Sequence, residues 1–242
     1  MLFRSTLSFW LREAGIDRTT IGYLSWVGLA YAFKWVWAPL VDRMPIPFLT
    51  RWMGRRRSWL LVSQVAILLG LVAMSFNDPR VALQPVVWGA LAVALGSATQ
   101  DIALDAFRIE SAHARLQAVL AASYQTGYRL AMIWAGAGVL WVAARATGTD
   151  DTTYQHSAWQ TAYLVMAASM SLGVLTVLFS PEPVQRDMPP ARHVREWLQS
   201  ALVEPFAEFI RRYRWQAALI LGLIAVYRIS DVVMGIMANP FY

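Results

Sequence analysis

Cysteine is absent from the 242 residues, which excludes a disulfide framework, a thiol nucleophile and a Cys-ligated metal. Lysine is almost absent: among 21 basic residues the one Lys is Lys34, which follows Phe33, so there is no Walker A loop ending in Gly-Lys. The three histidines, His113, His156 and His193, fall at scattered positions and read as solvated loop residues, with no HExxH or metal pair. There is no GxSxG nucleophile elbow and no GxGxxG loop. Neither an enzyme, a cofactor nor a metal site is expected. Charge is scarce as well, at 15% of residues, against roughly 25% in soluble domains. What fills the chain instead is apolar, at 57%, and too little polar surface remains to cover a soluble core. The bilayer is the better solvent.

Apolar stretches of membrane-spanning length occur near 20–41, 58–76, 85–107, 117–144, 158–179 and 215–236. Residues 2–11 read as the closing turns of a further, clipped helix. The net charge of +6 could suggest nucleic acid, but the basic residues sort by loop. Segments 42–57, 108–115 and 180–214 hold Arg43, Arg51, Arg55, Arg56, Arg57, Arg108, Arg115, Arg186, Arg192, Arg195, Arg211, Arg212 and Arg214. The intervening loops hold Arg12, Arg18, Arg80 and Arg145, with Asp17, Asp78, Asp150 and Asp151. By the positive-inside rule the Arg-rich loops are cytoplasmic, so the charge reports topology and no nucleic-acid partner is expected.

The chain divides into residues 1–179, an N-terminal transmembrane bundle with a truncated first helix; 180–214, a cytoplasmic linker; and 215–242, a seventh helix beginning a C-terminal half. Within the linker, apolar residues from Val194 to Tyr213 recur at helical spacing opposite Arg195, Glu196, Glu204, Glu208, Arg211 and Arg212. That pattern predicts an amphipathic helix lying along the headgroups. The segment 180–190, SPEPVQRDMPP, reads as an extended connection. Small residues at Ala92 and Gly96, at Ala118 and Ala122, and at Gly136 and Gly138 predict close helix packing. Trp10, Trp59, Trp141 and Trp215 read as interfacial anchors, and Trp35, Trp37 and Trp134 as deeper.

Ionisable groups inside spans cost about 2.5–3.5 kcal/mol each on insertion scales, so those retained need an explanation. Lys34, Asp101, Asp105, Arg129, Arg228 and Asp231 are such groups. Asp101 and Asp105, spaced i, i+4, share a helix face with Arg108 and Gln100 nearby. Two carboxylates on one inward stripe repel each other, while a nearby Lys34 or Arg129 would offset their charge. The cluster either binds a coupling proton or the anionic part of a substrate, or it only locks helices together, for which Asp105 with Arg108 is a candidate.

Residues 39–60, PLVDRMPIPFLTRWMGRRRSWL, resemble the loop between the second and third helices of the major facilitator superfamily. Asp42, Arg43, Gly54, Arg55, Arg56 and Arg57 match its D-R and G-R-[KR]-[KR] elements; Pro39 stands where Gly is usual, and the gap from Arg43 to Gly54 is longer. The resemblance implies an all-α helical bundle and a cytoplasmic gating loop. Residues 11–43, 54–64, SATQDIALDAFRIE (97–110), 127–144 and VYRISDVVM (226–234) are similar to the AmpG-type muropeptide permeases. That likeness implies a multi-pass inner-membrane protein importing anhydro-muropeptides for cell-wall recycling by proton symport, with the proton gradient rather than a cofactor as energy source. Lys34, Asp101, Asp105 and Arg129 then match the family's charged positions, and Arg228 and Asp231 the pair in its seventh helix. Its partners would be the lipid bilayer and a small glycopeptide, with Lys34, Arg129 or Arg228 facing carboxylates, Gln100 and Gln125 facing hydroxyls, and Tyr31, Tyr128 or the deeper Trp residues facing the glycan. A two-halved carrier needs about twelve spans, so the remainder of the same permease is expected outside these residues. The alternatives are a facilitator for another solute, or a truncated product that does not transport.

Overall fold

A computed structural model of the chain describes residues 2–147, 154–183 and 204–226. Every regular element among them is a helix. Residues 1–186 form one unit and 187–242 a second. The first contains α1 (Leu2–Glu13), α2 (Arg18–Leu24), α3 (Leu29–Arg43), α4 (Leu49–Met53), α5 (Arg55–Ser75), α6 (Leu83–Glu110), α7 (Gln117–Ile133), α8 (Val139–Thr147) and α9 (His156–Phe179). The second shows α10 (Glu204–Tyr213) and a short apolar helix, α11 (Trp215–Val226).

Among the described residues, four helices are long and apolar enough to cross a membrane: Arg55–Ser75, Leu83–Glu110, Ala114–Thr147 and His156–Phe179. They correspond to the four expected spans from 58 to 179, and the chain is a multi-pass, all-α membrane bundle. The expected span at 20–41 is not one α-helix. It is α2 and α3 joined by a 3-10 turn at Ser25–Gly28, and its apolar run is diluted by Lys34 and several Tyr and Trp. Asp17 starts this segment: its carboxylate accepts the Thr20 amide at 2.9 Å and hydroxyl at 2.5 Å, satisfying donors that the first helical turn leaves open. Of the expected amphipathic helix only 204–213 falls among the described residues, and of the seventh span only 215–226.

Helix α5 is the centre of the first unit, packing along α6 on one side and α9 on another. Gly70 and Gly89 make the α5–α6 approach possible: a Cβ on either would sit 2.8 or 2.9 Å from the other's carbonyl oxygen. Gly96 packs similarly, against Ser63 and Ile67. Ala118 and Ala122, another of the expected packing pairs, are exposed on α7.

Two apolar cores result. One, at the Arg-poor end, gathers Leu7, Trp10, Leu71, Met74, Val86 and Trp159 with their neighbours; the other, at the Arg-rich end, holds Val41, Met53, Leu60, Ala103 and Val177. Trp10 is therefore a core residue and not an interfacial anchor. Its ring stacks on His156 and Trp159, and its indole N–H donates to the Tyr154 hydroxyl at 3.2 Å, which in turn donates to Asp78 at 3.0 Å. His156 likewise departs from a solvated loop: it opens α9 with Nε2 buried. His113 is exposed, as expected, and His193 lies outside the described residues. Trp35 and Trp134 are exposed on the surface of their helices; Trp37 is half-buried and donates to the Thr99 hydroxyl at 3.2 Å, tying α3 to α6.

Candidate substrate and coupling site

Three helices bring the intramembrane charges together. Lys34 on α3 meets Asp101 on α6, Nζ to Oδ2 at 2.5 Å, with the two side chains 36% and 29% exposed. The other carboxylate oxygen of Asp101 accepts the Tyr124 hydroxyl from α7 at 3.3 Å. One and two turns along α6, Asp105 and Arg108 pair at 3.4 Å, and the Arg108 guanidinium lies over the Tyr124 ring, 5.4 Å from its centroid. Tyr128 stacks one turn beyond Tyr124, and Tyr31 of α3 approaches Ser97 and Asp101. Opposed charges in contact inside a bilayer form a nearly neutral unit, far less costly than either ion alone. A half-open pair of this kind holds a fixed cation and a fixed anion within reach of anything entering from the exposed side.

Sequence reasoning grouped Lys34, Asp101 and Arg129. The structure brings together only the first two: Arg129 is exposed on α7 with no ion pair among the described residues. Its spacing from Tyr124, five residues, turns it well away from the tyrosine's face. Gln100 lies beside Asp101 without a hydrogen bond among the described residues, and Gln125 is exposed. Arg228 and Asp231 lie outside the described residues. Tyr124 was not anticipated. The i, i+4 pairing of Tyr124 with Tyr128 was its only trace in the sequence.

At the Arg-rich end the loop residues form a second polar assembly. Arg56, 3% exposed, donates from Nη1 to Asp42 at 2.7 Å and bidentately to Glu110, from Nε at 2.9 Å and Nη2 at 2.6 Å. It thus joins the ends of α3 and α6 to the start of α5 through a fork that suits a carboxylate. Glu182, just past α9, caps α5 by accepting the Arg56 amide at 2.8 Å and the Arg57 amide at 3.1 Å, a carboxylate at the positive end of a helix dipole. Arg57 reciprocates by donating to the carbonyls of Val177 and Leu178, 2.8 and 2.5 Å away, in the last turn of α9. Gly54 makes this possible with φ +86°, and a Cβ there would overlap the Glu182 carboxyl group. Arg55 keeps two buried guanidinium nitrogens without a partner among the described residues, and Arg43 ends α3. Glu110 and Glu182 were not anticipated; the Pro residues flanking Glu182 suggested only an extended connection.

No family model matches the chain. It is 37% identical over 240 residues to the anhydromuropeptide permease of Escherichia coli (strain K12), covering 99% of this chain and 45% of that protein. Against the putative transporter AmpG 4 of Rickettsia felis (strain ATCC VR-1525 / URRWXCal2) the identity is 34% over 239 residues, 98% of this chain and 55% of that one. The AmpG 4 homologue of Rickettsia conorii (strain ATCC VR-613 / Malish 7) stands at 33% over the same length. The chain thus spans about half the length of the curated relatives it matches. These relatives are named as transporters and permeases, not enzymes, and by a likeness that runs along nearly all of its residues the chain belongs with the AmpG-type permeases.

Proposed function

We propose that the chain is part of a proton-coupled, major-facilitator-type carrier that imports anhydro-muropeptides across the inner membrane. The observation that carries this reading is the Lys34–Asp101 pair with Tyr124 on its second oxygen. Protonating Asp101 alone would strand the Lys34 ammonium; placing a substrate carboxylate on Lys34 alone would strand the Asp101 anion. Together the two events exchange one neutral unit for another, so proton and anionic substrate favour each other's binding. Loading then biases the facing of the site by whatever difference in affinity the two facings have. Asp105 and Arg108 form the adjoining pair, and Gln100, Arg129, Arg228 and Asp231 are further candidates for substrate contact.

Asp42, Arg43, Gly54 and Arg55 to Arg57 form the cytoplasmic gate in this reading, supported by the Asp42–Arg56–Glu110 relay that holds three helix ends. The test is uptake of labelled anhydro-muropeptide into vesicles containing the protein, with a competing unlabelled solute. Displacement by unlabelled anhydro-muropeptide supports the substrate assignment; displacement only by other solutes rejects it in favour of another carrier of the same kind.

A further inference from the structure

The rod that carries Tyr124 is not uniform. Between α7 and α8 the backbone runs through a π-helical segment, Trp134–Gly138, where the wider turn loosens the i to i+4 ladder and marks a bending point. Thr6 of α1, buried, donates its hydroxyl to the Ala135 carbonyl at 3.2 Å, anchoring the segment itself. The two arms then differ. Helix α8 packs extensively on α9, with Val139 and Ala143 buried. Helix α7 buries no residue and meets α6 sparsely.

What holds α7 near α6 is polar. Gln117 donates to the Ile109 and Ala112 carbonyls at 3.0 and 2.8 Å, and Tyr124 joins Asp101 and Arg108. The groups facing Tyr124 are Asp101, Asp105 and Arg108 from α6 and Tyr128 from its own helix; Lys34 and Tyr31 of α3 reach it through Asp101.

We infer that Tyr124 is a positioning residue: it latches α7 to the Lys34–Asp101 pair, and release of that latch lets α7 swing about the Trp134–Gly138 segment while α8 stays fixed. A hydrogen bond to an ionised carboxylate is stronger than one to a neutral acid, so neutralising Asp101 weakens the latch and rearranges the half-helix. The link between this movement and solute passage rests on the transport reading; the latch and the bend do not.

The absence of cysteine permits a direct test by spin labelling and pulsed distance measurement in lipid. One label pair, Val119→Cys with Leu172→Cys, reports α7 against α9; a second, Leu140→Cys with Leu172→Cys, reports α8 against α9. Tyr124→Phe and Asp101→Asn are each expected to widen the first distribution, with the displaced fraction rising roughly tenfold, as for loss of one hydrogen bond to an ionised group. The second distribution should stay unchanged, which also shows that the variants are folded. Unchanged distributions for both variants would overturn the latch, and equal shifts in both label pairs would overturn the bend. Neither readout depends on uptake, so a protein that latches but does not import would refute the transport reading alone.

Discussion

Lys34 is the one lysine in the chain and it pairs with Asp101 on the apolar, membrane-spanning α6. Two mutually dependent charges behave differently from two independent ones: removing either leaves an unpaired ion, whereas removing both leaves none. Lys34→Met and Asp101→Asn should therefore each lower thermal stability in detergent, and the double variant should recover part of the loss. A coupling of about 0.5–3 kcal/mol is expected from the cycle, and strict additivity would show that the pair does not act as a unit. Arg56 is more deeply placed, and Arg56→Met should destabilise by about 3–5 kcal/mol, the range for breaking a buried pair. Arg56→Lys should not restore full stability, since one ammonium cannot reproduce a bidentate fork; equal melting of Arg56→Lys and the parent would contradict the geometry. At this scale the sequence was informative where burial is expensive. A Lys and an Asp within apolar runs announce themselves by their cost, but Tyr124 and Thr6 carry no such cost, and the spacing of Tyr124 from Tyr128 was too weak a trace to single it out. Glu182 looked like linker because its role depends on where α9 ends relative to α5.

Among the elements, hydrophobic length revealed α5, α6, α7 with α8, and α9, because about twenty apolar residues have few uses besides crossing lipid. Interruptions were harder to see. The 3-10 turn inside 18–43 and the π segment at 134–138 arise from packing between helices, and residues such as Trp26, Gly28 and Gly138 are compatible with an unbroken span. Packing specificity was similarly mixed: the pattern at Ala118 and Ala122 misled, whereas Gly70 and Gly89, spaced nineteen apart on different helices, form no local motif at all. Gly89→Ala is predicted to push α5 and α6 apart and destabilise by about 1–3 kcal/mol, as overpacking does. Unaltered thermal unfolding in detergent would show that the approach is looser than described. A gentler element-scale effect belongs to Asp17, whose carboxyl the Thr20 hydroxyl holds below its usual range. A depressed pKa stabilises above the unfolded value and is lost as pH falls through the folded one. Acidification below about pH 4 should thus loosen the start of α2, seen as faster amide exchange at Thr20, and Asp17→Asn should remove that pH dependence.

For the molecule as a whole, the Arg-rich and Arg-poor ends are built on different principles. The Arg-poor end is closed by aromatic packing around Trp10, and the Arg-rich end by ion pairs around Arg56. Carboxylate–guanidinium pairs can be exchanged for other partners when helix ends separate. Between the ends lies the Lys34–Asp101 pair, open on one side and joined to the loosely packed α7. Proton-driven import follows if that pair is the point where proton and substrate meet. The direct measurement is accumulation of labelled anhydro-muropeptide in vesicles under an imposed inward proton gradient, compared between the parent protein and Asp101→Asn at matched amounts in the membrane. Gradient-dependent accumulation by the parent, absent from Asp101→Asn, is the expected result; accumulation by Asp101→Asn equal to the parent and equally sensitive to the gradient would contradict it.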